Sequence, residues 1–203
     1  MRVQDVLQGA AADTRAQIIG SAIQLFAKNG FDGTSIRDIV EAAGVTKPVL
    51  YYYFKNKQDL CESIISMIYD EFLDEIRSIV QADLPYPQRL KNLIAYYVRC
   101  SREDDEAAIR FIFSIAFGPF KLFEMVNLMQ WEERHLDLLH QFLQEGIDLG
   151  LVRSAPLKPM VMHVIGSVIV YMQARLLQYE IPEDQLEDQI VSLLMSGIQG
   201  ASG

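Results

Sequence analysis

Ser35-Ile36-Arg37-Asp38-Ile39-Val40-Glu41-Ala42-Ala43-Gly44-Val45-Thr46-Lys47-Pro48-Val49-Leu50-Tyr51-Tyr52-Tyr53-Phe54 is the stretch that decides the fold. Two short helical patterns meet in it at Ala43-Gly44-Val45. The first opens on Ser35 with Asp38 three residues on, a capping pattern, and sets Ile36, Ile39 and Val40 to one side. Gly44 supplies the permissive backbone of a tight corner, and Val45 plugs the crevice between the helices. The second pattern opens on Thr46 as its cap, accepts Pro48 in its first turn, and is over by Phe54. This is helix-turn-helix spacing. Successive side chains step about 100° around a helix axis, so Tyr51, Tyr52 and Tyr53 cannot all point inward.

Outward from this stretch the punctuation stays helical. A helix is expected from Thr14, with Gln17 completing a capping pair, to a stop at Gly30. Lys57 to Val80 reads as one amphipathic helix through Leu60, Ile64, Ile68, Phe72 and Ile76. Further helices are expected over 87–101, 104–117, 120–149, 160–178 and 183–199, with Gly118-Pro119 and Gly150 among the breaks. No alternating β-branched run suggests a strand. The expected fold is all-α with about nine helices: an N-terminal three-helix helix-turn-helix domain over 1–56 and a C-terminal helical-bundle domain over 57–203.

The chain has 203 residues, half of them apolar, and a formal net charge of −9. That apolar share excludes intrinsic disorder. Cys61 and Cys100 lack CxxC spacing and read as reduced packing residues of a cytoplasmic protein. The chain opens without a basic-then-apolar leader. Its most apolar stretch, Met160 to Met172, is 13 residues long, short of the roughly 20 that cross a bilayer, so no membrane is expected. Charge is uneven: the first sixty residues carry seven Lys/Arg against six Asp/Glu, and the remainder carries −10. The near-neutral part is therefore the one suited to approach a polyanion.

The Lys47–Phe54 segment fits that role. A phenol donates to a phosphate oxygen and its ring touches a thymine methyl; Lys47 suits a guanine edge. Lys55 and Lys57 lie at the start of the next helix, whose amides also favour anions. The competing reading has the tyrosines packed on the first helix and the lysines as a solvated rim.

The residues from Thr14-Arg15 through Leu25-Phe26-Ala27, Gly30-Phe31, Thr34 to Ile39, Ala43-Gly44-Val45 and Leu50 to Phe54, and on to Lys57 and Leu60, resemble the TetR family of transcriptional regulators. The resemblance implies a homodimer on a roughly palindromic operator of double-stranded DNA, released by a small molecule held in the C-terminal domain. It places Lys47, Pro48, Tyr51 and Tyr52 on bases or their methyl groups, and Tyr53 and Lys57 on phosphate. Thr34 and Ser35 match further backbone contacts, Thr46 joins them as the cap of the reading helix, and Arg37 reaches a guanine in some members. Asp38 could instead hold Arg37 as a surface pair.

Beyond Leu60 the clues are softer. Phe113, Phe117, Phe120 and Trp131 surround the Gly-Pro break, where a cavity for an apolar or aromatic effector is easily kept. Tyr96, Tyr97, Asn127, Gln130 and His163 are the polar groups expected to line it, although at helical spacing most such residues are core. Val164, Val168, Met172, Leu186, Ile190 and Leu194 are the expected dimer interface. Glu132-x-x-His135 and Asp137-x-x-His140 have metal-ligand spacing but fall on one helix, whereas di-iron bundles need facing pairs. No metal, no cofactor and no enzymatic activity is expected. The same scaffold serves an activator or a partner-controlled regulator, and a helical-bundle metalloenzyme is the distant alternative.

Overall fold

A computed structural model describes residues 13–100, 106–117, 128–177, 179, 189–190 and 192–193. The described residues form eight helices and no strand: α1 (Thr14–Asn29), α2 (Ile36–Ala42), α3 (Lys47–Tyr53), α4 (Lys57–Val80), α5 (Tyr86–Cys100), α6 (Glu106–Ala116), α7 (Met129–Asp148) and α8 (Leu157–Leu176). The chain divides into two compact units, Met1–Phe72 with Glu103–Met129, and Leu73–Arg102 with Gln130–Gly203.

In the first unit α1 packs on α2, α3 and α6. Ile18, Ile19, Ile23 and Phe26 of α1 are buried with Ile39, Leu50 and Phe54, and the Phe26 ring stacks on Phe111 of α6 at 5.3 Å. The cap of α1 is Asp13, whose carboxylate accepts from the Arg15 N–H at 3.0 Å; the expected Thr14 cap is displaced by one residue. Ser35 caps α2 in a complete capping box with Asp38. Thr46 takes the cap position of α3, but its side chain makes no cap hydrogen bond.

The second unit is organised by Arg89. Its Nε donates to the Leu84 carbonyl at 3.1 Å, and one terminal nitrogen donates to the Val80 carbonyl at the end of α4. The same fork pairs both Glu145 oxygens on α7. The guanidinium lies 5.6 Å and 5.5 Å from the rings of Tyr86 and Phe142, which stack on each other at 4.6 Å. A Cβ at position 146 would collide with the Tyr86 ring, which is why Gly146 sits there.

At 20 residues, α8 is long and apolar enough by length and composition to cross a bilayer, more than its 13-residue apolar run suggested. Within its unit it packs on α5, with Val161, Val164, Val168 and Met172 buried. This corrects the expected dimer interface: Val164, Val168 and Met172 face their own protomer. Met162, Val170 and Leu177 are exposed instead. A helix apolar all round offers no periodicity from which to choose its inward face. Ile190 is half-buried, while Leu186 and Leu194 lie outside the described residues.

Candidate nucleic-acid interface

The seven residues of α3 divide cleanly. Leu50 points into the unit and Phe54 closes the helix from below, both buried. The turn before it is fixed by Gly44 at φ 64° and by the Val45 N–H donating to the Val40 carbonyl at 3.0 Å. With that anchor in place, Tyr52 is 82% exposed and Tyr51 50%. Tyr53 is half-buried, its ring edge-on to Tyr52 at 4.9 Å. Thr46, Lys47 and Pro48 are exposed on the leading edge and Val49 is half-buried. The reading of the tyrosines as packing against α1 therefore fails for Tyr51 and Tyr52.

At the start of α2, Asp38 Oδ2 accepts from the Ser35 N–H at 2.8 Å and from the Ser35 hydroxyl at 2.7 Å. Ser35 Oγ accepts in turn from the Asp38 N–H at 3.2 Å. These bonds hold the Asp38 carboxyl below its ordinary range, the Ser35 hydroxyl first. The single Ser35 hydroxyl proton is thereby committed inside the chain. Arg37 beside it is exposed.

Two expected phosphate contacts turn inward. Thr34 is 1% exposed, and its hydroxyl lies 2.8 Å from the Gly30 carbonyl and 3.2 Å from that of Leu25, so it offers no side chain to a partner. Lys57 Nζ donates to the Phe31 carbonyl at 2.7 Å and to the Thr34 carbonyl at 2.9 Å, and stands 4.2 Å over the Phe31 ring. Lys55, absent from the roles carried over by resemblance, is exposed. Its own N–H is held by Asp59 Oδ2 at 2.8 Å, and the Asp59 N–H by Asn56 Oδ1 at 2.8 Å, which seats its side chain at the foot of α4.

Residues 18–64 match the profile of the bacterial regulatory proteins of the tetR family. The chain is 30% identical over 148 residues to the HTH-type transcriptional regulator AcrR of Shigella flexneri, spanning 70% of this chain and 68% of that protein. The chain belongs to the TetR family. It is a DNA-binding transcriptional regulator. Over 186 residues this TetR-family chain is also 23% identical to the fatty acid metabolism regulator protein of Bacillus subtilis, covering 90% of this chain and 94% of that one. Its fold matches the crystal structure of the regulator FadR from Bacillus subtilis in complex with stearoyl-CoA, with a TM-score of 0.74 at 22% identity, over 90% of this chain and 98% of the other.

The expected ligand-site residues of this TetR-family chain fall in both units. Phe113 and Phe117 belong to the first unit, the latter 67% exposed. Tyr96, Gln130, Trp131 and His163 belong to the second, where Trp131 is buried, Tyr96 half-buried, and Gln130 and His163 are exposed. Phe120 and Asn127 lie outside the described residues. The second unit also carries a shallow groove of about 560 Å³ lined by His140, Gln141, Gln144, Glu145, Asp148, Leu149 and Leu157, none of them anticipated as ligand contacts. Deeper in, the Tyr97 hydroxyl and His135 Nε2 are 2.7 Å apart. Burial pushes the His135 ring down to about 4 and the Tyr97 phenol up, so His135 is neutral at physiological pH. Among the described residues no group of three His, Cys, Asp or Glu side chains could hold a metal ion.

Proposed function

We propose that this regulator is a homodimeric repressor that grips a roughly palindromic operator with α3 of each subunit and releases it when an acyl-chain ligand binds. Residues 1–56 do the reading; residues 57–203 hold the ligand and the second subunit. The observation that carries the DNA half is the presentation of Tyr51, Tyr52 and Lys47 on one short anchored helix. Leaving a ring of that size in water forgoes roughly 1.5–3 kcal/mol of burial, which a partner surface recovers. Lys47 pairs with a guanine edge, Tyr51 and Tyr52 meet base methyl groups and phosphate, and Thr46, Tyr53 and Lys55 hold the backbone. Arg37 reaches toward the neighbouring bases. A two-fold dimer sets two such helices one DNA turn apart, roughly 34–36 Å, or a multiple of it.

Support for the ligand class comes from the likeness, along nine-tenths of the chain, to a fatty acid metabolism regulator, and from the fold shared with a FadR that holds stearoyl-CoA. Ligand binding is coupled to DNA through α4, whose first turn belongs to the DNA-reading unit and whose last turn belongs to the second unit. A ligand shifts the operator equilibrium only by its differential affinity for the two states.

The test starts with duplexes selected from random DNA by the protein itself. Lys47→Ala relaxes base preference, whereas Lys55→Ala weakens binding to every sequence and lowers the salt slope by about 0.9 for each phosphate left without its cation. Equal effects of the two substitutions with unchanged slopes would count against these roles. Stearoyl-CoA is then titrated in, with coenzyme A alone as the control. An operator affinity that stays the same with saturating, demonstrably bound acyl-CoA rejects the proposed effector class.

A further inference from the structure

Lys57 lies where a phosphate contact is expected, yet its ammonium faces the protein's own backbone. Two of its three N–H groups donate to the carbonyls of Phe31 and Thr34, at 2.7 Å and 2.9 Å, and the charge lies 4.2 Å over the Phe31 ring. These acceptors are 26 and 23 residues upstream. The segment enclosed between them and Lys57 is the whole of α2, the turn and α3. Thr34 immediately precedes Ser35, the cap of α2, and Lys57 is the first residue of α4. One side chain thus ties the entrance of the helix-turn-helix to its exit.

The neighbouring contacts stiffen the same knot. The buried Thr34 hydroxyl lies within bonding distance of Gly30 and Leu25. Phe31 packs on Phe26 at 5.6 Å, and a Cβ on Gly33 would collide with the Asn29 carbonyl oxygen. Swinging Lys57 outward to a phosphate would strip two part-buried carbonyls of a charge-assisted donor, leaving Phe31 only the Thr34 N–H at 3.3 Å, and an acceptor that loses its donor away from water carries a desolvation penalty. We propose that Lys57 is a positioning residue. It sets the angle at which α2 and α3 meet the operator, and it does not neutralise DNA phosphate. The sequence-independent attraction then falls to exposed cations such as Lys55.

This inference rests on α3 being the reading helix, and Tyr52→Ala, measured alongside, tests that reading separately. The probes are a duplex selected from random DNA by the wild-type full-length protein and a shuffled duplex of equal length. Lys57→Met keeps the length of the stem and removes the ammonium. The expected result is an operator affinity lower by about tenfold or more, with affinity for the shuffled duplex within about twofold of wild type and its salt slope unchanged. Amides from Thr34 to Ile39 exchange faster, and Lys57→Arg, which retains donors for both carbonyls, recovers most of the operator affinity. A measurement that needs no variant is acetylation of the wild-type protein without DNA, in which Lys57 reacts far more slowly than Lys47 and Lys55. Equal weakening on both duplexes with a salt slope reduced by about 0.9 per phosphate, an operator affinity untouched by Lys57→Met, or a Lys57 that acetylates as fast as Lys55 would each overturn the proposal. Unchanged operator binding by Tyr52→Ala would instead sink the reading of α3.

Discussion

His135 shows how much one buried side chain can dictate about the conditions the protein tolerates. Its ring is paired with the Tyr97 hydroxyl and is held neutral, with its pKa pushed down to about 4 by burial. An unfolded chain binds that proton near pH 6.5. Between pH 6.5 and 4 the unfolded state therefore carries a proton that the folded state refuses, and stability falls as pH falls through that window. A depression of this size corresponds to roughly 3 kcal/mol once the pH is below both values. His135→Gln, which keeps a polar partner for Tyr97 and does not titrate, is expected to flatten the urea stability profile over that window by a comparable amount. Parallel profiles for the two proteins would show that the histidine is protonated in the folded state as easily as outside it. The residue scale is also where the sequence was least transparent. The pairing of Lys57 with the carbonyls of Phe31 and Thr34 leaves no trace in residue type, because any residue supplies a carbonyl. Thr34 looks like an ordinary polar loop residue until its 1% exposure is known.

At the scale of elements, local chemistry decided what could be read. Helices α2 and α3 begin and end where their caps, the Gly44 turn and the Pro48 first turn place them, since those signals act within four or five residues of each other. Helix α1 starts at Thr14 as expected, but its cap is Asp13 instead of Thr14, because both are competent caps and Asp13 takes the Arg15 amide. At the corner between α4 and α5 the sequence offers only Asp83-Leu84-Pro85, a helix-breaking stretch. What fixes it is Arg89, whose fork spans the end of α4, the turn and Glu145 on α7. The two partners are not equivalent. Arg89 is 10% exposed at its side chain and Glu145 is 42% exposed, so Glu145 can return to water when its partner is removed, whereas the Val80 and Leu84 carbonyls lose their donor. Arg89→Met is accordingly expected to cost roughly 2–3 kcal/mol, and Glu145→Gln no more than about 1 kcal/mol. Arg89→Lys should fall nearer the methionine variant, because an ammonium cannot replace a fork that serves three acceptors at once. Urea denaturation of the three variants checks the order, and equal destabilisation by Arg89→Met and Glu145→Gln would mean that the ion pair alone, without the carbonyls, holds the corner.

For the molecule as a whole, the exposed side of α8 is the face on which the proposed homodimer would close. Met162, Gly166, Ile169, Val170 and Gln173 lie at three- and four-residue spacings on one face of α8, with Leu177 just past its end. Met162 is 58% exposed, Val170 64% and Leu177 62%, and a Cβ on Gly166 would meet open space. An apolar stripe of this kind is what a two-fold partner covers with its own copy of the same stripe. The opposite face, with Val164, Val168 and Met172, is already committed to the protomer, so substitutions on the two faces should fail differently. Val170→Glu puts a charge at the centre of the proposed interface and is expected to give a folded monomer by sedimentation at micromolar concentration. Its operator affinity should fall by about 10²-fold or more, because two half-sites are then no longer held at a high effective concentration by one linked pair of reading heads. Val168→Glu buries an unpaired carboxylate inside the protomer and should unfold it outright. A Val170→Glu protein that sediments as a dimer with full operator affinity would move the interface off α8, and the assignment of the two reading helices to one dimer across this face would go with it.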